Sequence, residues 1–522
     1  MTVVTPYRSA VRGARDGFAQ LLHAEWTKFR TVRGWVAAMA VVAPVVIALG
    51  LFSAAGNSSS CSDGPKVVPC PAVPLGPGGE AVSDSFTFMH RPLGEGGGIT
   101  ARVTGMTGII TYPPPNHDQI VNGLVPWAKA GIIIKESTRQ GSAYAAVMVT
   151  GHHGVRMQHD FTHDVAGRPA SAASPTWLRL TRSGDTITGY ESADGVHWST
   201  IGSVRLPGLP ATVQAGLFVT SPADLTVKPN AVGGSIAQAR FTQATAVFDN
   251  VDLRGAPPGT VWSDDQIGQS GTTQWEQEHK PAGVVSSGGT FTVTGSGDIA
   301  PIGQEAGQSI EHTLTGGLVA LIVVMIVAVM FVTAEYRRGL IRTTLLASPR
   351  RGRALAAKAL VIGVLAFAAG LVAAVVTVPP ATRILRSNGN YVLPVSLLTE
   401  LRVMVGTAAL FAVAAVGALA LGALFRRGVA AAVTAMVVVV VPAVLATASV
   451  LPLEVSRWLL RLTPAAGFAV QQSIPDYPQV IGDYSPQAGY YPLPPWAGFA
   501  VLCGYAALAL ALAVLRMRRR DA

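Results

Sequence analysis

Charge, cysteine and nucleotide-binding signatures are all scarce in this sequence. Of 522 residues, 13% are charged, three are cysteine and 49% are hydrophobic. No GxxxxGKS or GxxxxGKT occurs, and there is no Gly-Lys pair at all, so the chain cannot build a P-loop to cradle nucleotide phosphates. The absence of CxxC removes support for a zinc ribbon or a thioredoxin-like centre. Ionisable residues are missing from the middle of every long apolar run, which argues against a proton or sodium relay. A soluble chain this apolar could not cover itself with polar surface, so the excess must face lipid. The formal charge of +10 sits at the ends of apolar runs and forms no interleaved basic and aromatic stripe, which points away from nucleic acid.

A bilayer core about 30 Å thick needs roughly 20 apolar residues in a helix. Runs of that length fall at residues 35–54, 314–333, 355–378, 403–424, 429–450 and 496–515. Pro492, Pro494 and Pro495 fix where the last can begin. The basic residues Arg8, Arg12, Arg15, Lys28, Arg30 and Arg33 precede the first run. Arg337, Arg338, Arg342, Arg350, Arg351, Arg353 and Lys358 lie between the second run and the first turn of the third, Arg426 and Arg427 separate the fourth from the fifth, and Arg516, Arg518, Arg519 and Arg520 lie in the 516–522 tail. With six spans all of these segments share one side, which the positive-inside rule makes cytoplasmic, together with both termini, in a plasma membrane. Arg383, Arg386 and Arg402 are a minor exception on the outer side. Ser53-Ala54-Ala55 resembles a signal-peptidase site, but the apolar run before it exceeds the usual 7 to 15 residues or so of a signal peptide.

Residues 56–313 contain no span and read as an extracellular β-rich domain. Its clearest unit is the hairpin pattern from Trp177 through Ser183-Gly184-Asp185 to Tyr190, followed by Ala193-Asp194-Gly195 and His197-Trp198. Residues 256–307 are compatible both with further strands and with a stalk. Cys61 and Cys70 fall on the outer, oxidising side, where a disulfide and two free thiols are both open readings. His152, His153, His159 and His163 form the main histidine group and read as exposed loop residues rather than metal ligands.

The segments Ala130 to Lys135, Trp177 to Leu180, Asp194 to Trp198 and Phe248 to Val251 resemble concanavalin-like or laminin-G-like β-sandwich domains over about residues 83–254. The resemblance implies an antiparallel sandwich and an extracellular glycan as ligand. Trp127, Trp177 and Trp198 could stack on a sugar, but strand aromatics are more often core, and the core reading is favoured. Glu136, Glu191, Asp185 and Asp194 are the carboxylates open to a glycoside hydrolase reading, although most stand at strand ends or turns.

Before the first span, Phe18, Leu21, Leu22, Trp26 and Phe29 repeat at helical spacing, with Glu25 and Lys28 among them. Residues 1–34 therefore read as carrying an amphipathic helix in the inner interface. Ala24-Glu25-Trp26-Thr27-Lys28-Phe29-Arg30-Thr31, together with Ala334-Glu335-Tyr336-Arg337-Arg338-Gly339 and Ile341-Arg342-Thr343-Thr344-Leu345, resembles ABC transporter permeases of the type 2 exporter class. That resemblance implies a connecting helix at the first motif and an ATPase-coupling loop at residues 334–354, with Glu335, Tyr336, Arg337, Arg338, Arg342, Thr343, Thr344, Arg350 and Arg351 as its contact residues. Pro349 and Gly352 divide this loop into two helical pieces. Arg461 to Gly467, within the outer segment 451–495, resembles the family's re-entrant region.

The expectation is a multi-pass α-helical membrane protein of about six transmembrane helices, with a large extracellular all-β sandwich domain inserted between helices 1 and 2. Its expected partners are membrane lipid, a second permease copy and a cytoplasmic ABC ATPase subunit that uses the ATP, with no cofactor and no catalysis on this chain. The alternative is a membrane-anchored carbohydrate-binding or receptor protein. A glycine- and alanine-rich stripe at Ala366, Gly370 and Ala374, and another at Ala414, Ala418 and Gly422, would allow close helix approach.

Overall fold

The computed structural model describes residues 17–63, 66–68, 70–112, 116, 118–229, 235–268, 282–337, 351–448 and 450–519. Its helices are α1 (Phe18–Thr31), α2 (Arg33–Gly56), α3 (Gly317–Arg337), α4 (Arg351–Ser387), α5 (Leu397–Phe425), α6 (Gly428–Thr447), α7 (Leu453–Leu462) and α8 (Pro495–Arg519). All but α1 and α7 are long and apolar enough to cross a membrane. Their outward faces keep large apolar side chains uncovered: Phe52 is 79% exposed and Val429 81%. A helical bundle with an apolar outer surface is compatible with a membrane protein.

The bundle interior is made of small residues. Ala366, Ala374, Ala414 and Ala418 are buried. A Cβ built on Gly370 would lie 3.0 Å from the Ala408 Cα, so α4 rests directly on α5; one on Gly422 would meet Val332 of α3 at 2.6 Å. Both stripes thus mark close approaches. Two helices depart from the sequence boundaries. Helix α4 runs on through Pro379 and Pro380 to Ser387. Helix α6 passes through a π-helical turn at Met436–Val440 just before Pro442, where a wider turn accommodates a ring that clashes with the regular ladder.

The bundle has two unlike ends. At one, the Asn388 amide donates to the Ala54 and Asn57 carbonyls at 3.3 Å, tying α2 to the end of α4. At the other, the Arg351 guanidinium donates to the Met517 carbonyl at 2.6 Å and Arg426 stacks on Tyr336 at 5.4 Å, so basic residues from α3, α4, α5 and α8 gather there.

The chain between α2 and α3 builds a sandwich at the first of these ends. One seven-stranded antiparallel sheet has Lys129–Lys135 and Val213–Thr220 near its centre and His163–Ala166 and Ser263–Ile267 at its edges. The facing sheet centres on Gly96–Thr111 and Ser235–Arg254. Thr176–Ser183 and Thr186–Ser192 form a hairpin within it, turning at Gly184, whose φ of 60 suits glycine. Gly283–Ser287 and Thr290–Gly295 join this same sheet, so the segment after residue 254 adds strands, and the sandwich extends past the expected boundary.

The seven-stranded sheet is covered on both faces. Ile132, Ile134, Val147 and Leu217 face the partner sheet, while Phe86, Phe88, Tyr144, Phe161 and Phe218 form a second core on the other side. Two fully buried lysines sit among these strands. Lys135 Nζ lies 2.7 Å from Asp84, and Lys129 Nζ lies 2.6 Å from Asp298. Burying a lysine without such a partner would be costly, so these pairs fix how the chain's entry and exit segments lie on the sheet. Ala81, Leu393 and Ile474 then form a small core joining the sandwich to the bundle. Gln479 Nε2 adds a donor to the Thr162 carbonyl at 3.2 Å. A disulfide links Cys61 and Cys70, with Cα atoms 5.0 Å apart, at this same end.

Candidate functional site

At the basic end, three elements meet in a knot of four charges. Helix α1 contributes Glu25 and Lys28, the last turn of α3 contributes Glu335, and the second turn of α4 contributes Lys358. Lys358 Nζ lies 2.5 Å from Glu25 and 2.6 Å from Glu335. Lys28 Nζ lies 2.7 Å from Glu25 and 2.9 Å from Glu335. Each ammonium therefore bridges both carboxylates, and the set is formally neutral. Glu25, Glu335 and Lys358 are buried, with Lys28 at the rim.

Aromatic rings close the site on the bundle side. The Phe331 ring stands edge-on to Phe29 and Trp35 at 5.7 and 5.4 Å, and Lys358 Nζ lies 5.0 Å from its centroid. In so apolar a surrounding, charge-assisted hydrogen bonds are strong, and losing one partner is costly. Burial lowers the pKa of Lys28, but its hydrogen bonds to Glu25 and then Glu335, with their charges, outweigh this and raise it. The Glu335 Oε2 atom is buried and has no hydrogen-bond partner among the described residues.

This geometry corrects the reading of α1. Sequence periodicity placed Phe18 and Trp26 with Leu22 and Phe29 on one apolar face. In the structure Phe29 and Glu25 are buried and Leu22 packs against the bundle core, while Phe18 and Trp26 are exposed. The most buried position of the helix is thus an acid, which helical periodicity would assign to the polar side. Its partner Lys358 stands 333 residues away, beyond any local signal.

Of the expected coupling residues, Glu335 is in the knot, Tyr336 carries Arg426 on its ring, Arg337 ends α3 and Arg351 opens α4. Arg338, Arg342, Thr343, Thr344, Arg350 and Pro349 lie outside the described residues. Gly352 is no break: it lies in the first turn of α4, so only residues 338–350 separate the two helices. Both ends of that segment are therefore anchored within a few residues of the knot.

The sandwich places its candidates differently. Trp127 is buried, but Trp177 and Trp198 are half-buried, with Arg102 and Arg179 stacked on them at 5.6 and 3.8 Å, so the core reading fails for these two. Arginine stacking suits an outward face where the stem covers the ring. Glu136 accepts from the Ala143 amide at 3.4 Å, Glu191 from the Arg168 amide at 2.8 Å and Asp194 from the His197 amide at 2.8 Å. His153 stacks on Trp127 and His159 on His163, and no metal-binding group of three ligands forms among the described residues.

No protein-family model and no curated protein matches the chain. Among solved structures, scytalido-glutamic peptidase with a transition state analog inhibitor aligns at 11% identity and a TM-score of 0.27, over 41% of this chain and 99% of that one. SCP-B, a member of the Eqolisin family of peptidases, in a complex with a tripeptide, aligns at 10% identity and a TM-score of 0.26, over 41% and 99%. The GH43 protein BlXynB from Bacillus licheniformis aligns at 14% identity and a TM-score of 0.18, over 28% and 26%. Scores this low carry no argument about activity.

Proposed function

We propose that the chain is the membrane-spanning permease subunit of an ATP-driven ABC transporter of the type 2 exporter class, with the ATPase on a separate polypeptide. The observation that carries this reading is the charge knot. It binds an interfacial helix to both helices flanking the basic 338–350 segment, so a push on that segment moves α1, α3 and α4 together instead of bending a loose loop. A loop that served only to fix topology would need no such buried, mutually bridged charges, whose desolvation is costly.

In this reading the basic end faces the cytoplasm and the sandwich faces outward. The gathered arginines support that orientation, and so does the disulfide at the opposite end, since thiols in a bacterial-type cytosol stay reduced. Two permease copies and two ATPase subunits would form the working unit. Purification in mild detergent with cross-linking should recover a P-loop ATPase, and its repeated absence from a cross-linked, monodisperse preparation would overturn the proposal. Charge reversal at Arg337 should uncouple ATP hydrolysis from transport while the protein remains in the membrane; unchanged coupling would remove that residue from the role.

A further inference from the structure

At the sandwich end, the first turns of α5, the polar side of α7 and residues 472–495 enclose a pocket of about 550 Å³. That volume lies within the roughly 300–1,000 Å³ usual for small-ligand sites. Arg402, Arg457 and Arg461 converge on it, against one acidic wall residue, Asp476. Arg457 is already engaged, by Glu454 at 3.0 Å and by the Tyr484 carbonyl at 3.4 Å. Arg402 donates to the Gln472 carbonyl at 2.8 Å, and Arg461 lies over the Trp458 ring at 5.2 Å. Neither of these two guanidiniums forms an ion pair among the described residues; Glu311, which accepts from the amide of the lining residue Ser473 at 3.0 Å, is a further acid whose charge reaches Arg402, and the guanidinium N–H groups not used in these contacts are the donors that the pocket offers an anion.

The rim explains what kind of anion would reach it. Leu398 is 79% exposed, Leu462 62%, Trp496 64% and Trp458 54%, and each is next in sequence to a residue that lines the pocket: Thr399, Arg461, Pro495 and Arg457. Leu398 and Trp496 stand in the first turns of the membrane-length helices α5 and α8, and exposed tryptophan at such an end marks the level of the lipid headgroups. A soluble anion would gain nothing from that apolar rim, whereas an amphiphile would lay its tails along it.

We infer that this pocket is a binding site for the phosphodiester headgroup of an anionic lipid in the leaflet at the sandwich end, held by Arg402 and Arg461 with its acyl chains against Leu398, Leu462 and Trp458. Guanidinium pairs with phosphate through paired N–H donors, and two arginines of one pocket that keep further N–H groups beyond these contacts suit a single phosphodiester. The inference needs only that the helices span a membrane; it does not depend on the ATPase.

The test is native mass spectrometry of the purified full-length chain with phosphatidylglycerol, with phosphatidylcholine of the same acyl chains, and with glycerol 3-phosphate. The expected result is one retained phosphatidylglycerol and weaker retention of phosphatidylcholine. The Arg402→Gln/Arg461→Gln variant should retain phosphatidylglycerol about tenfold or more less well, as expected for two charge-assisted bonds. Arg383→Gln, at an exposed position outside the pocket, should not change it. Arg461→Gln alone, which leaves no buried partner stranded, should still weaken retention at an unchanged unfolding temperature. Equal retention of both lipids, unchanged retention in the arginine variants, or glycerol 3-phosphate binding as tightly as the lipid would overturn the inference.

Discussion

Lys358→Met removes the ammonium that touches both buried carboxylates, at 2.5 and 2.6 Å, and leaves Lys28 alone to neutralise Glu25 and Glu335. The knot then carries one uncompensated negative charge beside Phe29, Trp35 and Phe331. Breaking a buried pair in this way costs about 3–5 kcal/mol, far more than the pair contributes net of its desolvation. Methionine fills much of the lysine stem's volume, so the cost is electrostatic and not a cavity. Removing the surplus charge should therefore return most of it. Lys358→Met/Glu335→Gln is expected to be more stable than Lys358→Met, with a coupling of about 1–3 kcal/mol. The assay is denaturant unfolding of the full-length chain in detergent, arranged as a double-mutant cycle. If the two substitutions add to within about 0.5 kcal/mol, the groups do not act as one unit, and the mechanical link between α1, α3 and α4 loses its basis.

Other consequences can be checked separately. Gly498→Val should lower stability by about 1–3 kcal/mol, because a Cβ there would fall 2.3 Å from the Ala466 carbonyl oxygen; an unfolding curve matching the parent would show that α8 does not rest on the 464–471 turn. Asp84→Asn should destabilise the sandwich by about 3–5 kcal/mol by stranding the buried Lys135, read as a lost protease-resistant core, and equal resistance would refute it. Burial, then the neighbouring His163, lowers the pKa of His159 from 6.5 to about 4. The unfolded chain therefore takes up this proton first, and stability falls as pH drops from 6.5 towards 4. His159→Phe should show a shallower loss across that window by thermal unfolding, and an unchanged slope would contradict it. Denatured, non-reduced protein should offer one thiol, Cys503, to maleimide; three would mean that the Cys61–Cys70 bond is absent.

Much of the architecture was legible because it is periodic or compositional. Six apolar runs became six membrane-length helices, since a lipid-facing helix must be apolar over a fixed length. The hairpin at residues 177–190 was readable from alternation and a glycine turn. What escaped was non-local. Ser263–Ile267 and Gly283–Ser287 expose polar residues and find their places only as edge strands of the sheets. The apolar run counted over residues 355–378 ends just before Pro379 and Pro380, yet α4 continues through them to Ser387.

The site was half legible. Glu335 and Lys28 stood in motifs, but nothing local distinguishes a buried Glu25 from a solvated one, and Lys358 read as one more basic residue of the flank. Arg402 and Arg461 show the converse. Arg402 stood out as a basic residue on the wrong side of the charge pattern, and only the fold brings it across a pocket from Arg461.

ATP is available only inside the cell, so the permease reading stands on which end of the bundle faces the cytoplasm. Single-cysteine variants Val196→Cys, on the exposed sandwich surface, and Trp26→Cys, on the exposed side of α1, can be treated with a membrane-impermeant maleimide before and after lysis. The account predicts that Val196→Cys labels on intact cells and that Trp26→Cys labels only once the cells are opened. Labelling of Trp26→Cys on intact cells with Val196→Cys protected would contradict it.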